Sequence, residues 1–177
     1  PPPRAQQVLP TRYAVTVSDP DDAKRQTLDR MNQAMVAGVP FNAALGLRAL
    51  DFDQASGTAT LVLPYRADLV GNPATGVLHG GVVTSLVDAA CGLAVLLRLA
   101  RVTRIATLDL RIDYLKPATP PRDVRARAEC YKLTRQIAFV RATAYHEDPA
   151  DPIAAAAGTF MIFDDGRSAL GEAIEKP

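Results

Sequence analysis

Neither sign of charge is in excess in this chain: 20 basic residues stand against 19 acidic ones, a formal net charge of +1. That balance supplies no clustered basic face of the kind nucleic acid requires, so nucleic acid is not expected as a partner. Cysteine is scarce. Cys91 and Cys130 both sit inside apolar patterns and outside any ligand spacing, and they read as small buried hydrophobes in a reducing compartment. The two histidines are His79, at the head of an apolar run, and His146, in the polar turn "YHEDPADP", where solvation is expected. They form no metal cluster, and no metal is expected. There is no Gly-x-Ser-x-Gly elbow and no Ser-His-Asp set to mark a serine hydrolase. Internal repeats and low-complexity segments are also missing. The stretch "PPPRAQQVLP" at the start lacks the apolar segment of a secretory signal, and a cytoplasmic location is expected.

What is present is apolar mass. Of the 177 residues 48% are hydrophobic and 22% charged, enough for one domain with a substantial core. The longest apolar run, "VLHGGVVTSLVDAACGLAVLLRLA" at 77–100, opens with a histidine and two glycines and holds one acid, Asp88, in its middle. A bilayer is a poor setting for it, because Asp88 and Arg98 would each cost about 2.5 to 3.5 kcal/mol near the membrane centre. Thr84 and Ser85 dilute the run further, and no membrane association is expected.

The pattern along the chain implies an α+β fold. Residues 1–22 read as a flexible proline-rich leader. A helix is expected over 23–38, capped by Asp21 or Asp22, with Leu28, Met31, Met35 and Val36 as its apolar stripe and Gly38 with Pro40 as its stop. From residue 45 the period shortens to two. Strands are expected near 45–53 and 56–65, with a turn at "DQASG", and a loop "RADLVGNPATGV" then leads to a helix over 80–100. In "IATLDLRIDYLKPATPP" the alternation sets Ala106, Leu108, Leu110, Ile112 and Tyr114 on one face. Thr107, Asp109, Arg111 and Asp113 fall on the other. "DVRARAECYKL", "RQIAFVRATAYHE" and "IAAAAGTFMIF" supply three more strands, with Val124, Ala126, Ala128 and Cys130 inward on the first, and 165–177 is a polar tail. Short turns make neighbours antiparallel. A sheet of about six strands, apolar on one face, would then wrap around the long helix across residues 39–164.

This order, with "HGGVVTSLVDAA" opening the wrapped helix and "TLDLRIDYLKPA" as the next strand, resembles the hotdog fold. More narrowly, it is similar over about residues 40–163 to the acyl-CoA thioesterases of the PaaI-like and 4-hydroxybenzoyl-CoA thioesterase group. The resemblance implies hydrolysis of an acyl-CoA substrate without metal or organic cofactor, CoA being part of the substrate. It implies that the backbone N–H of Gly80, with Gly81 as a further donor, polarises the thioester carbonyl. Asp88 would be nucleophile or general base, and the Thr107 hydroxyl would hold the water. Asn72 would orient substrate or water. His79 would either bond backbone or touch substrate.

The chemistry suits these residues. A donor aimed at the developing oxyanion is often worth about 2.7 to 4 kcal/mol, and a helix start offers unpaired N–H groups with a partial charge of about +0.5. Asp88 shares a stripe with Gly81, Ser85 and Gly92, a small or polar helix face of the kind a substrate channel needs. The structural reading of Asp88 is a buried acid satisfied by a hydroxyl such as Thr84. Gly80 and Asp88 are eight residues apart, about 12 Å along a helix, whereas a reacting carbonyl needs both groups within about 3 Å. Two chains about a two-fold axis could meet that condition, so a homodimer or homotetramer with shared sites is expected. For CoA phosphates, Arg101, Arg104, Lys116 and Arg135 are nearby. Two other classes remain open at this point: a non-catalytic acyl-CoA-binding hotdog, and a hotdog enoyl-CoA hydratase or dehydratase.

Overall fold

The computed structural model describes residues 20–101 and 103–163, so most of the expected leader and the polar tail lie outside the described residues. Helix α1 spans Pro20–Met31, with Asp21 and Asp22 inside its first turn where they complement the helix dipole and do not cap it. The helix does not run on to residue 38 in α form. It widens into a π-helical segment, Asn32–Ala37, and the Asn32 side chain shows what the widening serves. Its Nδ2 donates to the Ala49 carbonyl at 3.1 Å and its Oδ1 accepts the Ala49 N–H at 2.7 Å, tying this segment to the sheet edge. Pro40 does not stop the first helix so much as open a second, α2 at Pro40–Leu45, with the proline at the first turn where its missing N–H costs nothing.

The strands are β1 (Arg48–Asp53), β2 (Thr58–Leu63), β3 (Val70–Asn72), β4 (Val77–Leu78), β5 (Ile105–Tyr114), β6 (Val124–Leu133), β7 (Ile137–Tyr145) and β8 (Ala154–Ile162). The long helix α3 is Gly80–Leu99. Six strands form one antiparallel sheet in the order β1-β2-β6-β7-β8-β5, wrapped on α3 as a hotdog. The loop expected at 66–77 contains the β3–β4 hairpin, too short to announce itself by alternation. Its turn is an Asx turn closed by Asn72, whose Oδ1 accepts the Ala74 N–H at 3.1 Å.

Alanines explain how the sheet closes on the helix. Ala59, Ala126, Ala128, Ala138 and Ala144 are fully buried on the strands, so the sheet approaches α3 closely. Leu86, Ala90, Cys91, Ala94 and Val95 of the helix are buried to the same degree. Cys91 and Cys130 are free and buried, and burial pushes the Cys91 thiol up to about 12. Among the described residues α3 alone is long and apolar enough to cross a membrane, and half of that stretch is buried within the protein.

Two further expectations are corrected. The alternation assigned to β5 breaks at a bulge between Thr107 and Asp109: Thr107 pairs with Phe160 and Asp109 with Thr159, leaving Leu108 as the extra residue. The phase therefore flips. Ile105 and Thr107 share the inward face with Leu110, Ile112 and Tyr114, while Leu108 turns out and is 54% exposed. Opposite the bulge the chain approaches so closely that a Cβ at Gly158 would stand 2.7 Å from the Asp109 carbonyl oxygen, and only glycine fits.

The second correction is His146, which is buried and not solvated. Its Nδ1 donates to the Asp123 carbonyl at 2.8 Å and its Nε2 accepts the Thr119 N–H at 3.2 Å, so the ring staples the 119–123 connection to the end of β7. Replacing His146 by leucine strands both groups, at a cost of about 1–3 kcal/mol. Urea unfolding is expected to show a lower midpoint with an unchanged slope.

Candidate active site

The start of α3 is built by His79. With extended dihedrals (φ −64°, ψ 133°) it caps the helix, its Nδ1 accepting the Gly81 N–H at 3.0 Å while its carbonyl accepts the Val82 N–H. That arrangement uses the unprotonated Nδ1 of the ring and occupies one of the two N–H groups expected as donors here. Gly81 is already committed. The Gly80 N–H has no acceptor among the described residues.

Tyr114, at the end of β5, holds the same turn. Its hydroxyl donates to the Gly80 carbonyl at 2.6 Å and lies 2.7 Å from the Thr84 hydroxyl, which itself bonds the Gly80 carbonyl at 3.2 Å. Ser85 bonds back to the Gly81 carbonyl at 2.9 Å, so its hydroxyl braces the helix and lines no cavity with Asp88. Gly80 and Tyr114 line a cavity of about 320 Å³, together with Leu78, Val83, Lys116 and Pro117.

Asp88 belongs to a different cavity. It is half-buried on the sheet-facing side of α3, and its Oδ1 accepts a hydrogen bond from Thr107 Oγ1 at 2.9 Å. Thr84 is not its partner. The bulge in β5 makes the pairing possible, because it swings Thr107 to the helix side without displacing Leu110 or Ile112. Around the pair lies a cleft of about 220 Å³ whose other walls include Val36, Asn42, Leu61, Leu96, Ile105 and Phe160. Gly92 leaves the cleft open one turn beyond Asp88, since a Cβ there would come no nearer than 3.7 Å to Ile105.

The structure thus brings Asp88 and Thr107 together and leaves Gly80 at the helix start, eight residues away, in a cavity that shares none of the described residues with theirs. Asn72 reaches neither cavity, its side-chain oxygen being used in the Asx turn. Among the expected cations, Lys116 lines the helix-start cavity and pairs with Asp151, whose carboxyl that contact holds below the usual range. Arg104 stacks on the Phe163 ring at 5.1 Å. Arg135 is exposed in the β6–β7 turn. No group of three or more potential metal ligands occurs among the described residues. Two contributors escape a reading of the sequence. Asn42 sits on a helix that the pattern does not reveal, and nothing in the strand pattern separates Tyr114 from an ordinary inward aromatic.

A model of the thioesterase superfamily matches residues 75–153, which hold the helix start, Asp88 and Thr107. The chain is 33% identical to the medium/long-chain acyl-CoA thioesterase YigI of Salmonella typhimurium, over 77% of this chain and 94% of that protein. It belongs to the thioesterase superfamily. Solved structures superpose on it with similar coverage. A Pseudomonas aeruginosa protein is 41% identical, with a TM-score of 0.67 over 76% of this chain and 97% of that one. A mutant of the phenylacetic acid degradation protein PaaI from Thermus thermophilus is 31% identical, with a TM-score of 0.60 over 70% and 99%. The superfamily match begins at residue 75, so α1, the π-helical segment and α2 lie outside it.

Proposed function

We propose that the protein hydrolyses acyl-CoA thioesters to a free acid and CoA, at sites shared between two copies of the chain. The reading is carried by one observation: a carboxylate hydrogen-bonded to a threonine in an apolar cleft, with an uncommitted helix-start N–H eight residues away on the same helix. Similarity to the YigI thioesterases supports the substrate class.

In the hydrolytic sequence the Gly80 N–H of one protomer polarises the thioester carbonyl. Asp88 of the other takes a proton from a water held by Thr107 as that water attacks the carbonyl carbon. The oxyanion is stabilised by the same N–H. Its collapse breaks the C–S bond, and the proton passes from Asp88 to the departing thiolate. With Asp88 as nucleophile, a mixed anhydride forms first and water then cleaves it. The apolar walls of the cleft suit an aliphatic tail, and β5 is an open sheet edge ten residues long where a second copy can join.

The test is thiol release from a panel of aliphatic and aromatic acyl-CoAs. Release is expected from aliphatic members, and an enzyme inert to the whole panel would overturn the proposal. Thr107→Val keeps the shape of the cleft and removes a hydrogen bond to a charged group worth about 1.5–3 kcal/mol. Its kcat is expected to fall roughly tenfold to a hundredfold, read on the best substrate of the panel.

A further inference from the structure

Beyond the cleft, α3 borders a second groove. It has a volume of about 200 Å³ and is lined by Thr27, Met31, Phe52, Leu97 and Ala100 with Gln54 and Arg101 at its rim, and Leu96 is the one residue it shares with the Asp88 cleft. We propose that Leu96 is a septum between two chambers of one acyl groove, and that it sets the length of tail the enzyme accepts. This rests on the acyl-CoA reading above.

Three observations place the chambers in line. Asp88, Gly92 and Leu96 recur every four residues and so form one stripe along α3 that lines the cleft, and Leu96 also lines the groove beside Ala100, the residue that caps the helix end. From Asp88 to Leu96 the helix rises about 12 Å, and Ala100 follows as its cap. The opposite wall follows the same order in reverse: Val36 faces the cleft, then Met31 and Thr27 face the groove, as the N-terminal segment runs back along α3. Leu96 itself is only half-buried, so its side chain stands against open space. Both chambers are mainly apolar, which fits an aliphatic tail whose polar end stays at Asp88.

The chemical consequence is a step in chain-length preference. A tail that ends before Leu96 is held by the first chamber alone; a longer one must displace the leucine. Leu96→Ala joins the chambers, and each methylene newly buried is then expected to raise kcat/KM about fourfold. Leu96→Phe closes the passage more firmly and is expected to depress turnover of long tails while sparing butanoyl-CoA. Thr27→Leu, which fills the second chamber, is expected to cancel the gain in the Leu96→Ala background.

The experiment is kcat/KM for a saturated series from butanoyl- to hexadecanoyl-CoA, measured for the parent, Leu96→Ala, Leu96→Phe, Thr27→Leu and the Leu96→Ala/Thr27→Leu double variant. A shift of the optimum to longer tails in Leu96→Ala, reversed in the double variant, supports the septum. Equal losses at every length in the Leu96 variants, or an unmoved optimum in an active enzyme, overturn it and leave the thioesterase reading intact. Should Leu96→Ala fail to fold, the Leu96→Phe profile decides alone. A parent inert to the whole series removes the thioesterase reading itself, and the septum falls with it.

Discussion

Asp88→Asn is expected to lower kcat at least about a hundredfold on the best acyl-CoA substrate, with the fold intact. The substitution is nearly isosteric, and Thr107 Oγ1 can donate to the amide oxygen as it does to Asp88 Oδ1 at 2.9 Å. Packing around α3 is therefore kept, while the group able to take a proton or attack the carbonyl is gone. The side chain is half-buried and lines a cleft with no second titratable group among the described residues of its walls, so none of those residues can substitute for it as a base. The loss should appear in kcat and in kcat/KM alike, as for an interaction made chiefly in the transition state. Unfolding midpoints near that of the parent exclude a folding defect, and a variant with full turnover would remove Asp88 from the mechanism. A single-turnover reaction in heavy-oxygen water then reports on the chemical role: heavy oxygen left in Asp88, with none in the product acid, marks a nucleophilic aspartate whose anhydride is opened at its own carboxyl carbon.

The parts of this site that can be read from the residues are those fixed by local pattern. An acid in an otherwise apolar helix, preceded by two glycines, stands out because an unpaired charge there is costly. The strands of the sheet stand out because their apolar residues alternate. What escapes depends on contacts between elements distant in the chain. The β5 bulge follows from the close approach of Gly158 to Asp109 across the sheet, and period-two counting places Thr107 on the wrong side although its role points to the helix. His146 looks solvated because its neighbours are polar, yet two backbone groups 23 and 27 residues away bury it. Asn72 lies a few residues before His79, where a substrate-orienting amide is expected, and its side chain closes its own turn. The π-helical widening at Asn32–Ala37 answers to a pairing with Ala49, which no helical periodicity records.

Mixed dimers carrying Gly80→Pro on one chain and Asp88→Asn on the other are expected to recover about half the parent activity per heterodimer, although each homodimer is nearly inactive. Proline is a clean probe here. At the first helical position it is well tolerated, because the N–H it lacks has no intrahelical partner. His79 before it already has the extended dihedrals that a following proline requires. The added ring meets the Tyr114 hydroxyl, 3.3 Å from an ideal Cβ, and that half-exposed side chain can shift by the few tenths of an ångström needed. Loss of one oxyanion donor then predicts a fall of about a hundredfold to a thousandfold in kcat for the Gly80→Pro homodimer. Complementation follows from where the groups stand. Within one chain Gly80 and Asp88 line separate cavities, so a site confined to a single chain would keep one lesion in every copy and regain nothing. A site drawn from two chains gives each heterodimer one cleft with both lesions and one with neither. Heterodimers isolated through two different affinity tags, assayed by thiol release, distinguish the outcomes. Activity no higher than that of the two parents would place both groups' work within one chain, or outside the reaction.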